Sequence, residues 1–197
     1  MSKTRLEAFS DGVFSIVITL LILNVHLPSG KSVSTGALLA LLPSVASFIL
    51  SFIVVGIYWI SHHHMLHYIR QVDRRLLWLN LLLLLCVVFI PFPASLLSTG
   101  FRNPLTVRLY GCSLIATNSA GLAFWWYAST RPHIVAANMD LNFARTIAKI
   151  HASPICVYVL AVALAGWSIW TSFVLFAVVP VFFIFPNPWL ERKVNGA

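Results

Sequence analysis

The chain has 197 residues, of which 59% are hydrophobic and 9% are charged, and its mean hydropathy is +0.89. Average proteins are about one quarter charged residues, so this composition excludes a soluble globular domain. The formal net charge of +8 does not indicate nucleic-acid binding, because the basic residues lie mostly in the segments between apolar runs, where they set membrane topology.

Six apolar runs predict an all-α membrane protein with six transmembrane helices per chain. Residues 1–197 are expected to form a single six-helix transmembrane domain. The predicted spans are residues 5–27, 37–61, 76–98, 105–129, 152–166 and 170–185. Because very few residues separate the last two runs, we expect a tight helical hairpin there.

Features between the spans follow in chain order. Residues 28–36 predict a short external turn. The second helix is expected to continue out of the bilayer to about Arg70, through the polar sequence SHHHMLHYIR. Pro91 and Pro93 should bend or end the third helix. Residues 131–149 are expected to include an interfacial helical piece before the fifth span.

We expect a plasma-membrane protein. The distribution of basic residues predicts that both of its termini are cytoplasmic. With that orientation, 10 of the 13 basic residues are inside: Lys3, Arg5, Arg70, Arg74, Arg75, Arg131, Arg145, Lys149, Arg192 and Lys193. Outside are Lys31, Arg102 and Arg108. No cleavable signal peptide is expected, since further spans follow the first apolar run. Trp59 is among the aromatic residues expected as interfacial anchors.

The three cysteines, Cys86, Cys112 and Cys156, are isolated and lie within predicted spans. Their spacing fits neither a disulfide framework nor a metal-binding pair. We therefore expect them to be small buried hydrophobic residues.

The first span carries an apolar stripe. With Ile16 as the reference and about 100° per residue, several residues fall within about 40° of it, and Thr19 lies at the margin. The stripe residues are Phe9, Gly12, Ile16, Leu20, Leu23 and Leu27. Val17 lies off the stripe and is expected to face lipid. The stripe alone is equally typical of a helix-packing surface.

Asp11 is a charged residue in a hydrophobic helix. Such a charge costs about 2.5–3.5 kcal/mol at mid-membrane, and an intramembrane acid is a candidate functional residue. Ser10 and Asp11 point away from the stripe, so Asp11 should find donors on a neighbouring helix. The candidate partners are Arg5, His62, His63, His64, His67, Trp78 and Asn80.

The sequence R-x-x-x-F-S-D stands at Arg5, Phe9, Ser10 and Asp11. Together with YWISHHHMLHYIRQVDRRLLWLNLLLLL after the second span, it resembles prokaryotic members of the potassium-channel family typified by lysosomal transmembrane protein 175. Animal members of that family look like two fused six-helix units that assemble as dimers. One unit per chain therefore implies a homotetramer.

The resemblance implies a central pore lined by four copies of the first helix. Ile16 matches the constriction residue of the family, Leu20 and Leu23 match the further apolar rings, and Thr19 matches a pore-facing threonine. The resemblance also implies a structural signature network of Arg5, Phe9, Ser10, Asp11 and His63. It implies no cofactor, no metal, no catalytic residue and no nucleic-acid partner.

The sequence contains no TVGYG carbonyl filter, so potassium cannot be selected by that design. The resemblance implies a potassium-permeable cation channel with a hydrophobic constriction on the first helix. Selectivity among K⁺ and other monovalent cations should be modest, because aliphatic side chains offer no coordinating oxygen.

Two other function classes are weaker alternatives. A secondary transporter would favour inverted repeats and a midplane ion site, and no repeat is visible. A membrane metalloenzyme could use His63 and His67, which are one turn apart, but the remaining histidines are scattered and Asp and Glu total five. We therefore expect a channel and not an enzyme.

Overall fold

The computed structural model describes residues 2–26, 33–135 and 141–184. Leu27, Lys31, Arg192, Lys193, the end of the sixth predicted span and most of the predicted external turn lie outside the described residues. Within those ranges the regular structure is helical, and a single isolated bridge pairs Ile69 with Val135.

Eight α-helices and one 3₁₀ turn are found in the described ranges. The α-helices are α1 (Lys3–Leu20), α2 (Thr35–Leu39), α3 (Leu42–Tyr68), α4 (Arg74–Phe89), α5 (Pro91–Gly100), α6 (Pro104–Ser129), α7 (Leu141–Leu164) and α8 (Ile169–Ile184). The 3₁₀ turn, Leu21–Asn24, follows α1 directly.

Local sequence explains several helix ends. The Asp73 carboxylate accepts a hydrogen bond of 2.7 Å from the backbone N–H of Leu76 and so caps α4. Asn103 caps α6 in the same way, and Pro104 occupies its first turn, where a missing N–H does no harm. The predicted break in the third span is confirmed, since α4 ends at Phe89 and Pro91 begins α5.

The all-α membrane fold is confirmed. Among the residues that the structure describes, four helical stretches are long and apolar enough to cross a bilayer. These are Lys3–Asn24, Thr35–Tyr68, Arg74–Gly100 and Asn142–Leu164. Helix α8 is shorter, with 16 residues, and α6 has 26 residues with a mixed polar and apolar sequence. Six membrane crossings therefore remain a prediction.

The region of the fifth predicted span is longer than expected. Helix α7 begins at Leu141, so residues 141–151 continue the helix that was predicted to start at residue 152. Phe143 and Ala144 are buried on one side of this first part, whereas Arg145 and Lys149 are exposed. The helical piece predicted within residues 131–149 is found at residues 141–149, but its continuity with the fifth span was missed because this part of the helix is amphipathic.

Two hydrophobic clusters form the core. The larger one joins α1 and α3–α8, and it includes Val17, which is only 2% exposed. The expectation that Val17 faces lipid was therefore wrong: α1 turns this side towards α3 and α4. The expectation of buried cysteines was also wrong for Cys112 and Cys156, which are exposed on the chain.

The smaller cluster closes the end of the bundle at which α3 meets α4. It joins Leu6 of α1 to the C-terminal parts of α3 and α6 and to the N-terminal parts of α4 and α7. The backbone N–H groups of Arg70 and Gln71 donate to the carbonyl of Ile134, at 2.7 and 3.2 Å. These bonds tie the connection between α3 and α4 to the segment that follows α6.

Candidate pore helix

Helix α1 presents two different faces. Leu6, Ser10, Phe14, Val17 and Leu21 recur every three or four residues and are buried against the rest of the chain. On the other side, Phe9 is 49% exposed, Ile16 60%, Leu20 43% and Leu23 68%. The predicted apolar stripe is therefore the face of α1 that has no partner within the described part of the chain.

The end of the stripe has a different helical pitch. The α-helix gives way to the 3₁₀ turn at Leu21. Residues three apart nearly eclipse one another in a 3₁₀ helix, so Leu23 lies almost directly beyond Leu20. The described stripe thus ends with two leucines in line.

Two hydroxyl groups lie beside the stripe. Thr19 Oγ1 donates to the carbonyl of Ile16 at 2.8 Å, and Ser15 Oγ donates to the carbonyl of Asp11 at 2.8 Å. Both residues are exposed. Because the hydroxyl hydrogen of Thr19 points back to the helix backbone, the lone pairs of its oxygen remain free to accept a hydrogen bond or to coordinate a cation.

Ser10 belongs to a buried hydrogen-bonded chain across three helices. Asn80 Nδ2 of α4 donates to Ser10 Oγ at 3.1 Å, and Asn80 Oδ1 lies 2.7 Å from His62 Nε2 of α3. The imidazole is the donor there, because an amide oxygen only accepts. The His62 ring lies between Phe14 and Phe124, with centroid distances of 5.6 and 5.7 Å. This series of hydrogen bonds fixes α1 against α3 and α4.

Asp11 has a separate partner, which the sequence analysis did not identify. Trp59 Nε1 of α3 donates to Asp11 Oδ1 at 2.8 Å. The ring of His63, one turn along α3, lies beside Trp59 with a centroid distance of 6.1 Å. Trp59 had been assigned only as an interfacial anchor, although its spacing of four residues from His63 places both on one side of α3.

Ser10 and Asp11 thus bond to different helices, and the other three residues of the predicted signature network lie at the surface of the chain. Arg5, Phe9 and His63 are exposed. The two contacts form because successive residues on a helix point about 100° apart, so Ser10 faces α4 and Asp11 faces α3. Within the described ranges, no group of three or more His, Cys, Asp or Glu side chains could hold a metal ion.

Comparison with known proteins gives relatives along nearly the whole chain. Residues 5–91 match the family described as the endosomal/lysosomal potassium channel TMEM175. A potassium channel of Streptomyces collinus is 38% identical over 82% of this chain and 81% of its own. A potassium channel of Chamaesiphon minutus is 33% identical over 91% of this chain and 92% of its own.

A solved structure agrees with the fold. The crystal structure of a lysosomal potassium-selective channel TMEM175 homolog from Chamaesiphon minutus superposes with a TM-score of 0.83 and 31% identity. It covers 92% of this chain and 96% of the other. These relatives are ion channels and not enzymes. The resemblance found in the sequence is confirmed, and the chain belongs to the TMEM175 potassium-channel family.

Proposed function

We propose that the protein is a potassium-permeable cation channel of modest selectivity, built as a homotetramer around four copies of α1. Membership of the family supports conduction of cations. The single observation that carries the pore assignment is the exposed apolar face of α1, since this helix buries its other face within its own chain.

The constriction is assigned to Ile16, with Leu20 and Leu23 as further rings. An apolar ring gives up its water readily and can close a pore by dewetting. Thr19 is the residue beside these rings with an oxygen available to a partly dehydrated cation. Weak coordination of this kind supports only modest discrimination between K⁺ and other monovalent cations.

The orientation proposed is that of a plasma-membrane protein with both termini cytoplasmic. At the bundle end where α3 meets α4, the exposed basic residues include Arg70, Arg74, Arg75 and Arg131. This clustering supports that end as the cytoplasmic one. The signature residues Arg5, Phe9, Ser10, Asp11 and His63 are proposed to orient α1 and not to conduct ions.

The proposal is tested by reconstituting the purified protein and measuring reversal potentials in asymmetric KCl and NaCl. The wild type should show unitary current steps with a reversal potential displaced towards that of K⁺. Slow flux without unitary steps would indicate a transporter instead.

The variant Ile16→Asn replaces four apolar side chains with amides and should lower the barrier to hydrated ions. Conductance should rise or the K⁺ preference should fall, with assembly intact. Leu20→Asn and Leu23→Asn should act in the same direction but more weakly. A reversal potential of Ile16→Asn identical to that of the wild type would remove Ile16 from the constriction.

The matched control is Val174→Asn. Val174 of α8 is 60% exposed on the chain, the same fraction as Ile16, but it lies on a different helix. Val17 on α1 itself cannot serve as the control, because it is 2% exposed and a polar side chain there would destabilise the fold. Val174→Asn should leave the permeability ratio unchanged.

A further inference from the structure

A small pocket lies inside the helix bundle and away from the exposed face of α1. Its walls are formed by α3, α6, α7 and α8, and none of its lining residues belongs to α1. The pocket is partly open to the surface of the chain, and its cavity volume is about 20 Å³. A polar cavity above roughly 10–15 Å³ can hold one water molecule.

Several polar side chains interrupt the mostly apolar wall of the pocket. Tyr58 of α3, Asn118 of α6 and Tyr158 of α7 line it. Asn118 Nδ2 donates to the Tyr58 hydroxyl at 2.6 Å and to the Leu114 carbonyl at 2.9 Å. The Tyr158 hydroxyl lies close enough to the Tyr58 hydroxyl to interact with it. These groups hold one another in place at the pocket wall.

His151 is a polar residue at this pocket for which the described part of the chain provides no hydrogen-bond partner. It lies on α7, is mostly covered, and lines the same space. Its Nδ1 is 3.9 Å from the position that a Cβ on Gly121 would take, so α6 offers it only backbone there. Within residues 2–26, 33–135 and 141–184 the imidazole makes no hydrogen bond. A polar side chain that is removed from water without a hydrogen-bond partner costs several kcal/mol.

Two prolines interrupt the helices around the pocket. Pro154 of α7 has no N–H to donate to the carbonyl of Ile150, and Ser153 Oγ donates to that carbonyl instead, at 3.1 Å. Pro180 interrupts α8 on the opposite wall. Ordered water commonly supports membrane helices at such interruptions.

His151 lies at nearly the same depth as a basic residue of α7. Lys149 is exposed and lies only two residues before His151 on the same helix, which corresponds to about 3 Å along the axis. The pocket is therefore close to the part of α7 that carries the basic residues.

We propose that this pocket is a binding site for one ordered water molecule. The water bonds to the imidazole of His151 and to the Tyr58–Tyr158 hydroxyl pair, and it thereby joins α7 to α3. A bridging water with two or three polar partners contributes nearly as much as a direct hydrogen bond. The site is separate from the pore proposed above and does not depend on it.

The site is tested by hydroxyl-radical footprinting of the full chain in lipid nanodiscs, with rapid mixing into ¹⁸O-labelled water. Radicals that form from a bound water modify the side chains next to it. The oxygen that they add carries the isotope of the water that occupied the site. Tyr58 and Tyr158 should be modified several-fold more than Tyr110. Tyr110 is the internal control, because it is fully buried but bonded to Ser51 outside the pocket.

The variant His151→Leu should reduce modification of Tyr58 and Tyr158 to the level of Tyr110. If His151→Leu does not fold, His151→Gln keeps a hydrogen-bonding group and should preserve the wild-type pattern. Modification of Tyr58 and Tyr158 no stronger than that of Tyr110 in the wild type would overturn the proposal. Wild-type modification in folded His151→Leu would also overturn it. Since the readout is labelling and not current, failure here leaves the channel proposal untouched.

Discussion

At the scale of single residues, Asn80 has the central position in the contacts of α1. It is fully buried and bonds to Ser10 on one side and to His62 on the other. The Asn80 amide supplies a donor to α1 and an acceptor to α3. Its removal therefore leaves one buried polar group on each of these helices without a hydrogen-bond partner. Asp11, by contrast, is half-buried and bonds to a Trp59 that is itself partly exposed.

Asn80→Ala should therefore destabilise the protein by about 1–3 kcal/mol, because it leaves the buried Ser10 and His62 without partners. Asp11→Ala should cost less, and it should affect assembly more than conductance. Melting temperatures of the purified variants test this order. A control is Asn24→Ala, whose long 3.4 Å bond to the Pro91 carbonyl is only partly buried. Equal melting temperatures for Asn80→Ala and Asn24→Ala would contradict the role of Asn80.

Asp73 gives a prediction about pH. Partial burial by itself raises the pKa of the Asp73 carboxyl, but hydrogen bonds from Tyr127 at 2.6 Å and from the Leu76 N–H, with His133 at 3.9 Å, lower the pKa below its ordinary value. A depressed folded pKa stabilises the fold above the ordinary pKa, and this stabilisation is lost as pH falls through the folded value.

Asp73→Asn retains a helix cap but loses this charge-dependent stabilisation. It should melt below the wild type at pH 7, and the difference should shrink as pH falls below about 4. Glu7→Gln is the control, because Glu7 forms an exposed pair with Lys3 and such pairs contribute little. A difference for Asp73→Asn that stays constant with pH would show that the carboxylate charge is not involved.

At the scale of helices, the packing of α6 on α7 and α8 depends on a close approach at Gly111. A Cβ at this position would overlap Val162 of α7 and would lie 3.0 Å from the Phe176 ring of α8. Added bulk in a packed core typically costs about 1–3 kcal/mol.

Gly111→Ala should lower the melting temperature, whereas Gly56→Ala should leave it unchanged or raise it. No atom lies within 4 Å of a Cβ at Gly56, and alanine favours a helix over glycine by up to about 1 kcal/mol. Differential scanning fluorimetry of both variants provides the comparison. A Gly111→Ala protein as stable as Gly56→Ala would mean that α7 and α8 can move apart without cost.

The sequence predicts the helices better than their contacts. Long apolar runs locate the spans, and Pro91 marks the break between α4 and α5, because both signals are local. The helical piece expected within residues 131–149 exists, but its continuity with the fifth span was missed because exposed Arg145 and Lys149 interrupt the apolar pattern. The burial of Val17 and the pairing of Asp11 with Trp59 depend on which neighbour each side of α1 meets. A helical wheel gives the directions of side chains but not the positions of neighbouring helices.

At the scale of the whole molecule, one exposed face on α1 cannot enclose an ion path without further copies of the chain. We expect native mass spectrometry in mild detergent to give four times the chain mass of 21.9 kDa. Tetramers should also persist in Ile16→Asn, because that side chain lies on the side of α1 away from the buried contacts. A monomer that still conducts ions would contradict the tetrameric pore.

The two faces of α1 also affect how the protein can be altered. Changes at sites that share no partners usually have additive effects. The Ser10 side and the Ile16 side of α1 are separated by the width of a helix, about 10 Å. New side chains on the Ile16 side should therefore be tolerated in many combinations without loss of the fold. A library randomised at residues 16, 19, 20 and 23 could accordingly be searched for new ion preferences in a scaffold that still assembles.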